Sequence, residues 1–170
     1  MNLIGLSGIA RSGKDTTADY LVSKYGFKKM ALADYIKEVA ELAGWDGLKD
    51  ERGRRYLQHL GDVMREYSPN IMLTHLESRI RICTERYSQA GIVISDVRLE
   101  TEIKWLKIMG GSSWLVLRDT KTTNVPAHPT EQSDKLDRSL FDFVFDNNGS
   151  FEAHYNGIDM AMTRIQKGKV

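Results

Sequence analysis

Residues 2–16 read N-L-I-G-L-S-G-I-A-R-S-G-K-D-T, and the fold follows from how the two halves of this stretch differ. Asn2 to Ser7 is a short apolar run, the pattern of a parallel strand buried on both faces. Gly8, Gly13 and Lys14 then fall in the frame G-x-x-x-x-G-K. That frame describes a turn whose backbone N–H groups point inward as an anion nest. A helix begins directly after it and brings its positive dipole end to the same spot. Gly13 lets backbone approach a phosphate closely, and Lys14 has the reach for the outer oxygens of a polyphosphate. Beyond the loop, Ala18, Leu21, Val22 and Tyr25 repeat at helical spacing, and Gly26 supplies a stop.

The residue after Lys14 departs from the commonest form of this loop, in which a Ser or Thr hydroxyl ligates Mg²⁺. Here it is Asp15, with Thr16 next. Adenylate kinase and its relatives also displace the hydroxyl by one residue, so Thr16 is a phosphate or metal contact by analogy. Two readings of Asp15 stand side by side. It helps to hold Mg²⁺ through water, or it simply favours the helix N-terminus electrostatically.

Length and composition agree with one globular domain: 170 residues, 41% of them hydrophobic. Twenty-four basic residues against 23 acidic ones give a formal charge of +1, which suits neither a polycation that coats nucleic acid nor an acidic tail. The single cysteine, Cys83, rules out an internal disulfide framework, fits a reducing compartment and sits at an apolar-periodic position as a buried thiol. The apolar start is too short for a signal peptide, and no run approaches a membrane span. A soluble, cytoplasmic protein with no membrane partner is expected.

Along the chain the hydrophobic period switches repeatedly between strand and helix. Strands are expected at 2–7, 27–30, 91–95 (G-I-V-I-S, the clearest), 112–117 and 141–145. Helices are expected after the glycine loop, from an Asp34 cap to Gly44, over about 50–66, after Ser68-Pro69, over 99–109 and after a Ser150 cap. Leu73, Leu76, Ile80 and Cys83 would face inward on the fourth of these, and Phe151, Tyr155, Ile158, Met162 and Ile165 on the last. The alternation implies an α/β fold of three layers, a five-stranded parallel sheet flanked by helices. Residues 1–170 then form a single domain with a core of 1–30 and 91–170. A helical insertion of about 31–90 and a polar loop of about 119–137, which holds two of the three prolines, are extra to that sheet. The loop is a candidate lid.

Several charged positions invite a second cationic site. On the 50–66 helix, Leu57, Leu60 and Met64 are spaced for the core, while Arg54, Gln58, Gly61 and Arg65 form a second, polar stripe. Arginines with a glutamine between them can hold a phosphate and read a base edge. The plainer alternative is a solvated face paired with Glu51 and Asp62. Strand 91–95 runs into Asp96-Val97-Arg98, and ligands of open α/β sheets sit at the carboxyl ends of central strands. Asp96 there suits Mg²⁺, and Arg98 suits a phosphoryl group, unless the pair is a structural one with Glu102. Arg118 closes the next strand and enters the polar loop with Lys121, His128 and Glu131. His128 reads as structural, and the remaining histidines show no ligand spacing.

With these residues laid out, the chain resembles the bacteriophage-type deoxynucleoside monophosphate kinases, P-loop NMP kinases. The resemblance rests on L-S-G-I-A-R-S-G-K-D-T-T-A-D-Y (6–20), A-L-A-D-Y-I-K (31–37), L-Q-H-L-G (57–61), S-D-V-R-L-E-T-E (95–102), L-V-L-R-D (115–119), H-P-T-E (128–131) and D-N-N-G-S (146–150). It implies an NMP-kinase-like fold, ATP with Mg²⁺ as donor and a dNMP as acceptor. Carried over by position, Gly8, Ala10, Arg11, Ser12, Gly13, Lys14, Asp15 and Thr16 would hold the ATP phosphates. Asp15 and Thr16 would be metal contacts, beside the Asp96 read above from its strand end, and Arg118 with Asn147, Asn148 and Gly149 would lie near adenine. Asp34, Lys37, Gln58, Arg65, Arg98 and Glu102 would face the acceptor, and Arg54 of the polar stripe and Glu131 of the polar loop are further candidates for it. Lys14, Asp96, Arg98 and Arg118 are the candidate catalytic residues. The chain is short for this family, with most of the missing length in the helical insertion.

The reaction so implied is in-line phosphoryl transfer, with catalysis by positioning and charge neutralisation. An ionised phosphate acceptor needs no general base, and none is evident. A dephospho-CoA kinase or another small-metabolite kinase is the nearest rival, and Asp34 could serve it as base. A nucleotide-binding ATPase or switch module is a rival of another class. The sequence is compatible with a homodimer, and a stable nucleic-acid partner is not expected.

Overall fold

A computed structural model describes residues 2–87, 90–119 and 136–168. Along them run β1 (Leu3–Ser7), α1 (Lys14–Tyr25), β2 (Lys28–Met30), α2 (Ala33–Leu42), α3 (Glu51–Tyr67), α4 (Ile71–Arg86), β3 (Ile92–Ile94), α5 (Glu100–Ile108), β4 (Ser112–Leu117), β5 (Phe143–Asp146) and α6 (Phe151–Lys167). The strands make one parallel five-stranded sheet in the order β2-β3-β1-β4-β5, the α/β architecture expected from the alternation. β1 pairs in parallel with β3 on one side and β4 on the other. The chain therefore leaves β1 toward one edge and later returns to its opposite side, which opens a crevice at the carboxyl end of β1.

The described chain forms two compact units, Met1–Lys29 with Ala90–Val170, and Met30–Gln89. In the first, all five residues of β1 are buried, as a central parallel strand requires. Ile4 and Leu6 face α1 and α6, where they join Ala18, Leu21, Trp114, Val116, Ile158 and Met162 in one apolar cluster. Trp114 anchors it, fully buried, with the rings of Phe143 and Phe145 at 5.6 and 5.1 Å. Its indole N–H donates to Ser112 Oγ at 2.9 Å. On the opposite face Gly5 is bare because α5 closes there. A Cβ at Gly5 would lie 2.5 Å from Leu106 Cδ2.

One expectation about this unit fails. Phe151, expected inward, is 65% exposed, and the buried position in that turn goes to His154. A tertiary partner, Thr17 of α1, makes the polar residue the better fit. No helix among the described residues is long and apolar enough to cross a membrane.

In the second unit α2, α3 and α4 bury Ile36, Ala40, Met64, Met72, Leu73, Leu76 and Ile80. Asp50 caps α3 by accepting from the Gly53 N–H at 2.7 Å. Leu57 and Leu60 are only half-buried, and Cys83 is likewise half-buried rather than sealed. Gly61 belongs to packing, not to a polar stripe. It is buried, and a Cβ there would come within 2.9 Å of Ile36 Cδ1. Asp34 is not the N-cap of α2. The helix starts at Ala33, and Asp34 in its first turn reaches back to accept from the Ala31 N–H at 3.0 Å. The same carboxylate meets Lys37 Nζ at 2.9 Å and Arg79 Nη1 of α4 at 3.3 Å, so it fastens α2 to α4.

Two measurements follow from this packing. Trp114→Ala removes the anchor of the sheet cluster and lowers unfolding free energy by about 3–5 kcal/mol in chemical denaturation. Val144→Ala, on the exposed side of β5, changes it by less than about 0.5 kcal/mol. Burial alone would raise the Asp34 carboxyl. The Lys37 ammonium, the Ala31 N–H and Arg79 outweigh it and hold the group below the usual carboxylate value. Its stabilising contribution is therefore present above the unfolded value, about 3.9, and is lost as pH falls through the lower native one. Asp34→Asn lowers thermal stability at neutral pH, and the gap from the parent protein narrows as pH drops below that value. A gap that stays constant across the acid series contradicts this account.

Candidate active site

β1 delivers the chain to residues 8–13, which wrap the N-terminus of α1 at the crevice beside β3 and β4. Three residues of this turn have left-handed backbone: Gly8 (φ 143°), Arg11 (φ 65°) and Gly13 (φ 107°). Glycine adopts such angles freely. Arg11 does so at a cost of roughly 1–2 kcal/mol, which the loop imposes. Both glycines are also required by contact. A Cβ at Gly8 would collide with the Val116 carbonyl of β4, and one at Gly13 would collide with the Asn147 amide. The ring of the loop is closed by the Ser12 N–H, which donates to Ile9 O at 3.2 Å.

Within this frame Ala10 and Arg11 are exposed at the crown, while Ser12 is buried with no hydrogen-bond partner for its Oγ. The Lys14 ammonium lies across the loop, 2.7 Å from both Gly8 O and Ile9 O. Asp15 is exposed and pairs with Lys29 Nζ at 2.9 Å. Lys29, which the sequence gave no reason to single out, also meets Asp19 at 3.0 Å. Thr16 is half-buried, and among the described residues its hydroxyl makes no hydrogen bond. Thr17 is the better tied of the two. Its Oγ1 donates to Gly13 O at 3.0 Å and meets His154 Nε2 at 2.8 Å.

The neighbouring strand ends supply the remaining groups of this unit. Past β3, the Val97 N–H donates to Leu6 O at 3.0 Å and Val97 O accepts from Ser7 Oγ at 2.8 Å. These bonds set Asp96 and Arg98, both half-buried, against the start of the phosphate loop. The buried Glu102 carboxylate accepts the Arg98 and Leu99 N–H groups at 2.7 and 3.0 Å through Oε2 and so caps the N-terminus of α5. Past β4, Arg118 is exposed, and the Asp119 N–H donates to Asn148 Oδ1 at 2.8 Å. Asn147 is 6% exposed, and its Nδ2 donates to Ser12 O at 2.8 Å, which ties its amide to the phosphate loop. Asn148 and Gly149 are exposed.

In the Met30–Gln89 unit, Asp34 and Lys37 are brought together, and the structure adds Arg79 and His75. His75 stacks on Tyr35 with ring centroids 4.0 Å apart, its Nε2 3.2 Å from Glu38 Oε2. On α3, Arg54 donates to Lys49 O at 3.1 Å and Arg65 lies 3.8 Å from Asp62, while Gln58 is half-buried. Glu131 and His128, with most of the 119–137 segment, lie outside the described residues. Sequence reading missed Thr17, Arg79 and His154. The first was visible only as a second threonine beside the loop, and the others gave no signal.

Comparison with known proteins bears on the whole chain. Residues 2–57 match the family model described as deoxynucleotide monophosphate kinase. A protein of Acanthamoeba polyphaga mimivirus assigned as a deoxynucleotide monophosphate kinase is 31% identical over 93% of this chain and 94% of its own length. The deoxynucleotide monophosphate kinase of Enterobacteria phage T4 is 54% identical over a shorter stretch, 25% of this chain and 18% of that protein. Among solved structures, dephospho-CoA kinase from Campylobacter jejuni superposes with a TM-score of 0.61 at 13% identity, covering 99% of both chains. Shikimate kinase from Acinetobacter baumannii gives 0.54 at 16% identity, over 100% of this chain and 96% of that one. At such identities the structural likeness shows the P-loop kinase fold alone. The sequence likeness carries further: matched over nearly its whole length by the mimivirus relative, the chain belongs to the deoxynucleotide monophosphate kinase family.

Proposed function

We propose that the protein transfers the γ-phosphoryl group of ATP to a deoxynucleoside monophosphate, giving ADP and a deoxynucleoside diphosphate. One observation carries this reading: residues 8–14 form a left-handed turn at a helix N-terminus with Lys14 lying across it. Such a nest binds the β- and γ-phosphates through backbone N–H groups and the helix dipole. Lys14 exchanges the Gly8 and Ile9 carbonyls for phosphate oxygens. Arg98 and Arg118 neutralise charge that builds on the transferring group. The residues present suit Mg²⁺, since Thr16 offers a hydroxyl without a protein partner and Asp96 a carboxylate at the strand edge, with Asp15 nearby in sequence. When bound, the ion would neutralise negative charge on the polyphosphate.

The acceptor falls to the Met30–Gln89 unit in this reading. Lys37, Arg54 and Arg65 supply positive charge, Asp34 and Gln58 supply hydrogen-bonding groups, and Arg79 joins them as a residue the sequence did not mark. Residues 119–137, including Glu131, would serve as the lid.

The assay is coupled ADP release with ATP and Mg²⁺ against dAMP, dGMP, dCMP, dTMP and dUMP, alongside dephospho-CoA and a reaction without acceptor. Release that depends on a dNMP, and that falls about 10²–10³-fold in Lys14→Ala, is expected. Release only with dephospho-CoA would replace the acceptor assignment, and release without any acceptor would make the protein an ATPase. Arg98→Ala should lower kcat more than it raises KM for ATP, because its charge acts on the transferring group.

A further inference from the structure

We infer that Asn147, directly after β5, and His154 of α6 are positioning residues for the phosphate loop, fixing the two peptide groups that flank Gly13. The inference rests on residues 8–14 being the nucleotide-phosphate site. In a trans peptide the N–H and C=O lie in one plane and point in opposite directions across the C–N bond. Turning a loop N–H toward an anion therefore requires the carbonyl of the same peptide to be held the other way.

At the Ser12–Gly13 peptide that hold is the Asn147 Nδ2 donor, 2.8 Å from Ser12 O in a buried setting. Gly13 has no side chain in the space that the Asn147 amide fills. At the Gly13–Lys14 peptide the carbonyl accepts the Thr17 N–H at 2.9 Å and Thr17 Oγ1 at 3.0 Å. A threonine hydroxyl has a single proton, and Gly13 O takes it. The 2.8 Å contact between Thr17 Oγ1 and His154 Nε2 is then met by a proton on Nε2. That tautomer leaves Nδ1 a bare acceptor, and Nδ1 is indeed buried without a partner. Burial also lowers the His154 pKa, which keeps the imidazole neutral. The relay thus runs from His154 through Thr17 to the Gly13 carbonyl. Asn147 and His154 come from one β5–α6 segment, so a single piece of chain orients both peptides.

A contact between Asn147 and adenine is the competing account, and the two differ in which part of ATP they serve. The test titrates the full chain calorimetrically with ATP and, separately, with tripolyphosphate, which has no base. Asn147→Asp keeps the shape but faces the Ser12 carbonyl with another acceptor. It is expected to weaken both ligands together, by about 10- to 100-fold. His154→Leu should weaken tripolyphosphate in the same way, while His154→Gln, which retains a donor, restores most of the affinity. This second pair carries the test should Asn147→Asp fail to fold. Loss of ATP affinity with tripolyphosphate unchanged would overturn the positioning role in favour of an adenine contact. Lowered thermal midpoints with wild-type affinity for both ligands would reduce the two residues to structural ones and overturn it equally. Wild-type protein that binds neither ligand would overturn the phosphate-site reading itself, and this inference with it.

Discussion

A phosphate nest is a segment of backbone that breaks the usual rule of the protein interior. Buried N–H groups are normally paired within the chain, yet in the proposed function several here would be aimed at a ligand, and their carbonyls need partners elsewhere. The architecture around residues 8–17 answers that demand. β1 is central and fully buried, so the loop starts from a fixed point. β4 supplies the Val116 carbonyl wall against which only a glycine fits, Asn147 after β5 donates to the Ser12 carbonyl, and His154 of α6 meets the Thr17 hydroxyl that donates to the Gly13 carbonyl. The sheet order, with β1 between β3 and β4, brings Asp96, Arg98 and Arg118 to the same edge.

Much of this was legible in the sequence because it is local. The apolar run before Gly8, the G-x-x-x-x-G-K frame and the Gly26 stop all lie within one strand–loop–helix unit, where periodicity and backbone preference act over a few residues. Five strands and the helices between them followed from the same alternation, and Asp50 and Ser150 cap as their residue types favour. Long-range matters were not legible. Asn147 and Ser12 are 135 positions apart, His154 and Thr17 are 137 apart, and Asp34 and Arg79 are 45 apart. No spacing rule connects such pairs. Where a tertiary partner competed with a local pattern, the partner won, as when His154 took the buried place expected for Phe151. Glu102 shows a local bond that was not read, its carboxylate capping its own helix.

The Met30–Gln89 unit has a different construction. Its apolar core is small, and α2 is joined to α4 by charge as well as by packing. Asp34 is shared between Lys37, Arg79 and a backbone N–H, and Glu38 between Arg79 and His75. A cluster so cross-linked can change partners without losing its pairings one at a time.

The position of Lys14 gives the loop a threshold. Its ammonium is already engaged by two carbonyl oxygens of the turn it spans. An incoming anion competes with those oxygens for the same protons, so a solute offering one or two acceptors gains little by displacing them. A polyphosphate repays the exchange through several N–H groups at once. Under the proposed function the loop would thereby act as a filter on multidenticity, favouring a polyphosphate over small anions such as chloride.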